Sequence, residues 1–119
     1  MDHRPKTIIC DIDGTLVMHN KPSDVAKKSC KLILLEGTLD KLNEWERKGY
    51  NIILLTGRKE SMRQVTIDQL TELGIYYDQL IMGVGGGSRY LINDYKPDGA
   101  ESAFSINVER NSGIKNINI

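Results

Sequence analysis

Four aliphatic residues in unbroken succession, Ile52-Ile53-Leu54-Leu55, constrain this chain more than any other feature. A strand with one wet face alternates apolar and polar residues, whereas a run without alternation needs cover on both faces, as inside a parallel sheet. The run stops at Thr56-Gly57-Arg58, so a strand is predicted over residues 51–56. A second β-favouring run, Thr7-Ile8-Ile9-Cys10, ends on Asp11-Ile12-Asp13-Gly14. It predicts a strand over residues 6–11 with carboxylates at its tip.

Leu39, Leu42 and Trp45 recur at three-residue spacing and Gly49 follows, which predicts an amphipathic helix over 38–48. Met62, Val65, Leu70 and Leu73 near one face, closed by Gly74, predict another over 60–73. Further strands are expected at 80–83 and, after the glycine-rich connection Gly85-Gly86-Gly87-Ser88, at 89–93 with Asp94 at the tip. A short helical segment around Ala100 and a last strand at 104–108 complete the pattern. Residues 17–35 read as a flap or hairpin, and the polar, asparagine-rich residues 111–119 as a loosely held tail.

This alternation of strand and helix is that of an α/β protein: a Rossmann-like three-layer α/β/α sandwich, its sheet mainly parallel and its crossovers right-handed. A length of 119 residues supports one core, so residues 1–119 are expected to form a single domain.

Sixteen basic residues balance sixteen acidic ones, so no global positive field draws the chain to nucleic acid, which is disfavoured as a partner, or to an anionic membrane. Residues 1–6 are polar and lead into no long apolar run, hence no signal peptide or membrane span is expected. Cys10 and Cys30 show neither paired spacing nor disulfide density, which points to reduced thiols in the cytoplasm. His3 and His19 have no metal-ligand spacing.

In parallel α/β sheets ligands bind beyond the carboxyl ends of the strands, where Asp11, Asp13, Thr56 and Asp94 all fall. Of two carboxylates separated by one residue, one can attack as a nucleophile while the other faces the leaving group. Against a dianionic phosphate ester, that attack needs a divalent cation to offset repulsion, and Mg²⁺, held by a few carboxylates, suits the task. Asp11 and Asp94 are the natural pair for it. Asp13 could protonate the leaving oxygen and then activate the water that breaks an aspartyl-phosphate. Thr56 offers a hydroxyl, and Gly57 lets backbone N–H groups approach a phosphoryl oxygen. The plainer readings are an Asp-Gly turn, a helix cap at Thr56, a turn toward Pro97 at Asp94, and solvated Arg58 and Lys59.

The string Asp11-Ile12-Asp13-Gly14-Thr15-Leu16, with a strand ending in Thr56-Gly57-Arg58, resembles the haloacid-dehalogenase-like (HAD) superfamily of phosphatases. The resemblance implies that Asp11 is nucleophile and metal ligand and that Asp13 is the general acid/base, with its backbone carbonyl on Mg²⁺. It also implies that Thr56 binds phosphate and Asp94 is the late acidic ligand. Relatives often carry two adjacent acids there, and this chain has Asn93-Asp94, leaving either to complete the metal site. With no lysine between Leu73 and Asn93, the phosphate-holding cation is Arg89 or Lys96, the bidentate arginine being favoured. Only short segments separate the elements, so no cap domain fits; the site would lie open or be covered by a second copy in a homo-oligomer.

The stretch Tyr90-Leu91-Ile92-Asn93-Asp94-Tyr95-Lys96-Pro97 is similar to small capless members found beside bacterial surface-polysaccharide genes. The function implied is a Mg²⁺-dependent phosphomonoesterase acting on a small metabolite such as a sugar phosphate. The alternatives are a nucleic-acid end phosphatase and a catalytically weak phospholigand-binding or regulatory module.

Overall fold

The computed structural model describes residues 3–25 and 30–119. Its sheet has three parallel strands in the order β1 (Thr7–Asp11), β2 (Asn51–Leu55), β3 (Gln79–Ile81), with Ile8 opposite Ile52, Asp11 opposite Leu55 and Leu55 opposite Ile81. The register sets the tips of β1 and β2 side by side. Among the described residues three helices accompany the sheet: α1 (Pro22–Val25), α2 (Thr38–Arg47) and α3 (Arg63–Leu73), the last preceded by a 3₁₀ turn at Glu60–Met62.

Each long helix ends where its glycine predicts. Gly74 adopts the left-handed conformation at the end of α3 and donates its N–H to the Thr71 and Leu70 carbonyls. Leu42 and Trp45 of α2 and Leu70 of α3 share one buried cluster with Ile8, Ile52 and Leu54 of the sheet. Both long helices thus serve the same apolar side, as right-handed crossovers in a β1-β2-β3 order require. Ile9, pointing the other way along β1, is 49% exposed. The α/β class and the parallel sheet are as expected, and no cap domain is inserted among the described residues.

Within residues 17–35 a short antiparallel contact forms: Val17 bridges Leu34, Met18 N–H donates to Ile33 O at 2.8 Å and Leu35 N–H to Leu16 O at 3.0 Å. Residues 26–29 of the anticipated flap lie outside the described residues.

Beyond β3 the structure departs from expectation. Residues 89–93 and 104–108 are not strands, and no helix forms around Ala100. The segment closes on itself in a turn, Lys96 N–H donating to Ala100 O and Gly99 N–H to Lys96 O. Its apolar side chains are left outside, Ile92 at 93% exposure. The cause is where the segment starts: Arg89 is ion-paired to Asp11 at the carboxyl tip of β1, whereas a parallel neighbour of β1 must start at the opposite end. Strand propensity without a neighbouring strand does not make a strand.

The tail is the second correction. Its composition predicts a loosely held end, yet Ile114 is 1% exposed inside the core cluster, with Ile117 and Ile119 packed against it. Ile114 N–H donates to Glu36 O at 3.0 Å. Gly37 is held so close to the Lys115 backbone that a side chain there would overlap it.

Candidate active site

The loop after β1 is built by alternation. Ile12, Leu16 and Val17 are fully buried, and Leu16 N–H (2.9 Å), Thr15 N–H (3.2 Å) and Val17 N–H (3.2 Å) all converge on Ile12 O. Gly14, at φ 88°, makes the reversal and donates to Val17 O at 2.7 Å. Thr38, buried at the start of α2, donates its hydroxyl to Leu16 O at 2.6 Å and ties the loop to the helix. With Ile12 anchored inward, Asp11 and Asp13 face the open mouth beyond the sheet.

Asp11 is 34% exposed and ion-paired through Oδ1 to Arg89 at 3.0 Å, with the Thr15 hydroxyl at a long 3.3 Å from Oδ2. Asp13 is held more firmly. Arg58 Nε donates to its Oδ2 at 3.0 Å and an η nitrogen to its Oδ1 at 2.8 Å, a bidentate fork. The other η nitrogen donates to Thr66 Oγ1 at 3.0 Å and Gln69 Oε1 at 2.7 Å on α3. Arg58 is 5% exposed, and Thr66 and Gln69 are buried. Each Asp13 oxygen retains a lone pair for a proton, so the fork fixes orientation without blocking proton transfer.

Thr56 is buried at the tip of β2 and its hydroxyl accepts the Arg58 N–H at 3.1 Å. Gly57 lies against Gly85: an added Cβ would stand 3.1 Å from Gly85 O. Val84 N–H to Thr56 O (3.0 Å) and Gly83 N–H to Arg58 O (2.7 Å) lock the two loops together. Asp11, Asp13, Thr56, Gly57 and Arg89 thus gather around the tips of β1 and β2. Asp94 and Lys96 lie instead in the exposed segment after Arg89, where Ser102 Oγ donates to the Asp94 carbonyl. No group of three or more histidine, cysteine or acidic side chains able to hold a metal is present among the described residues.

The residue that sequence reasoning missed is Arg58, read as solvated at a helix start. Its role follows from the register, which pairs β1 and β2 at their tips and sets the residues just past each tip face to face.

Beside Asp11, Cys10 is half-buried, its Sγ 3.3 Å from Asp11 O. Burial, and then the neighbouring Asp11 charge, push its thiol up to about 12 from an ordinary 9.0. A raised value means the folded state keeps its proton. The contribution to stability is therefore full below pH 9 and is lost as pH rises toward 12. Thiolate being the reactive form, iodoacetamide at pH 8 is expected to leave Cys10 unmodified until the protein is unfolded, as read by peptide mass. Rapid native labelling of Cys10 would contradict this placement.

The PNKP phosphatase domain of polynucleotide kinase, a HAD family, provides the family model that matches residues 5–89. Among solved structures, a chain of the Pnkp1/Rnl/Hen1 complex is 30% identical over 72% of this chain and 30% of its own length, with a TM-score of 0.58. A second structure of that assembly, described as an RNA repair complex, gives 32% identity over 79% of this chain and 28% of its own, with a TM-score of 0.57. This chain therefore spans less than a third of those neighbours. A Vibrio cholerae protein, 22% identical over 78% of this chain and 85% of its own with a TM-score of 0.53, shares the fold. No curated protein matches. No helix among the described residues is long and apolar enough to cross a membrane. Most of the chain, including both strand-tip motifs, falls inside the family match, and the chain belongs to the haloacid-dehalogenase-like phosphatases, in the family of the PNKP phosphatase domain.

Proposed function

We propose that this chain hydrolyses phosphate monoesters through an aspartyl-phosphate on Asp11. The observation that carries the reading is the pairing of two differently held carboxylates at one strand tip. Asp11 is open to an approaching phosphorus, while Asp13 is oriented by a buried arginine. In this mechanism Asp11 attacks phosphorus, the ester P–O bond breaks, and Asp13 gives a proton to the leaving oxygen. Asp13 then takes a proton from the water that attacks the aspartyl-phosphate, freeing phosphate and restoring Asp11. Arg89, on Asp11 at 3.0 Å, is the cation that takes the phosphoryl oxygens in this reading, its guanidinium being a good phosphate partner. The Thr56 hydroxyl, whose oxygen accepts the Arg58 N–H, still has its own proton to donate to phosphate.

Mg²⁺ fits the donor chemistry, since hard oxygen ligands are present and the ion binds through one or two carboxylates plus substrate phosphate. The Asp11 carboxylate and the Asp13 carbonyl would hold it, with Asp94 or Asn93 contributing if the segment carrying them closes on the mouth. The ion supplies charge neutralisation and in-line alignment at phosphorus.

For the substrate, the balanced charge supports a small phosphorylated metabolite such as a sugar phosphate. A polynucleotide end is the second reading, favoured by the PNKP family match and by likeness to a chain of an RNA repair complex. Phosphate release from sugar phosphates, nucleotides and 3′-phosphorylated oligonucleotides, with and without Mg²⁺ and across salt concentrations, separates them. Mg²⁺-dependent, salt-insensitive release from sugar phosphates is expected. A steep salt dependence confined to oligonucleotides would move the assignment to polymer ends, and no release from any ester would refute both.

A further inference from the structure

A cation without a partner among the described residues lies beside the motif loop. Arg58 is matched by Asp13 and Arg89 by Asp11, but the Arg110 guanidinium has no hydrogen-bond or ion-pair partner among the described residues. Its position is tied to the motif loop. An added Cβ at Gly14, the residue after Asp13, would stand 3.2 Å from Arg110 Cγ and 3.8 Å from His19 Cβ. The arginine stem thus lies along the loop that carries both carboxylates, and the residue is exposed.

The backbone that holds Arg110 there is fixed at some cost. Asn111, at φ 65°, is the one non-glycine residue in the left-handed region among the described residues, a conformation disfavoured for residues other than glycine. In return its N–H donates to Gly14 O at 2.8 Å and its Oδ1 accepts the His19 N–H at 2.8 Å. One residue thereby clasps both sides of the motif loop. Ser112 closes the turn onto Glu109 O through its N–H at 3.2 Å and its hydroxyl at 2.7 Å, and Ile114 anchors the far end in the core. Arg110 is the side chain this bracket presents to solvent beside the nucleophile loop.

Resting on the phosphomonoesterase reading, we infer that Arg110 binds a second anionic group of the substrate, so that the preferred ester carries a phosphate besides the one transferred. The pairing supports this. Arg58 and Arg89 are engaged by Asp13 and Asp11 while Arg110 is not, and a guanidinium is the donor best shaped for phosphate. A second phosphate is found both on a small bisphosphate and on the backbone next to a polynucleotide's terminal phosphate. The chemistry is common to the two.

The test compares kcat/KM of wild type, Arg110→Ala and Arg110→Lys on p-nitrophenyl phosphate, glucose 1,6-bisphosphate and a 3′-phosphorylated trinucleotide. Wild type is expected to prefer at least one doubly anionic ester. In Arg110→Ala that preference, taken as a ratio to p-nitrophenyl phosphate, should fall on the order of 10- to 100-fold, the range of a charge-assisted hydrogen bond, through KM more than kcat. Arg110→Lys should restore part of it. A fall confined to the bisphosphate assigns a small substrate, and one confined to the trinucleotide assigns a strand end. An unchanged ratio, or an equal fall on all three esters with a lowered melting temperature, overturns the inference and leaves the phosphatase reading standing. Absence of wild-type turnover on every ester overturns both.

Discussion

Asp11→Asn is expected to abolish phosphate release, by on the order of 10⁴-fold or more, while leaving the fold intact. The amide is nearly isosteric with the carboxylate but is no nucleophile toward phosphorus, and losing the nucleophile removes the covalent route altogether. The structural cost is small because Asp11 is 34% exposed and its partner Arg89 is 38% exposed, and open ion pairs contribute ~0–1 kcal/mol. Initial rates with circular dichroism on the same sample separate the two effects. A variant that folds and retains turnover would remove Asp11 from the chemistry.

Arg58→Ala is expected to damage both stability and turnover. Arg58 and Asp13 form a nearly buried pair, and removing the arginine strands the carboxylate and takes a hydrogen bond each from Thr66 and Gln69. Such truncations cost roughly 3 kcal/mol or more, which lowers Tm by roughly 10 °C in a domain of this size. In the fraction that folds, Asp13 loses its orientation, and kcat should fall on the order of 10²-fold, the worth of a placed general acid/base. Arg58→Lys keeps the charge but not the fork and should lie between the two. Thermal melts and kcat near wild type for Arg58→Ala would show that Asp13 is positioned by something else.

How much of this was legible from residues depends on whether the signal was local. The strand runs at Ile8 and Ile52, the helix spacing of Leu39, Leu42 and Trp45, and the closing glycines each act within a few residues, and all formed the expected elements. That Asp11, Asp13 and Thr56 stand at strand tips was legible because a strand run broken by glycine is itself a local pattern. Arg58 was not, since its meaning comes from Asp13 across the sheet and from Thr66 and Gln69 one and two turns into α3. The stretch from Tyr90 to Ile92 has strand composition but no strand beside it, and only tertiary placement decides that outcome. The tail misled for the opposite reason. Among asparagines and charges, Ile114 sits in the core with Ile117 and Ile119 packed against it, and Asn111 clasps the motif loop through two hydrogen bonds that composition does not foreshadow.

The central claim is a covalent phosphoryl group on Asp11, and acid quench during turnover followed by borohydride reduction tests it most directly. Reduction of an aspartyl-phosphate converts that aspartate to homoserine, which peptide mass spectrometry locates. Homoserine at position 11, dependent on substrate and absent at position 13, is the predicted result. Sustained phosphate release with Asp11 unmodified under the same quench would contradict it.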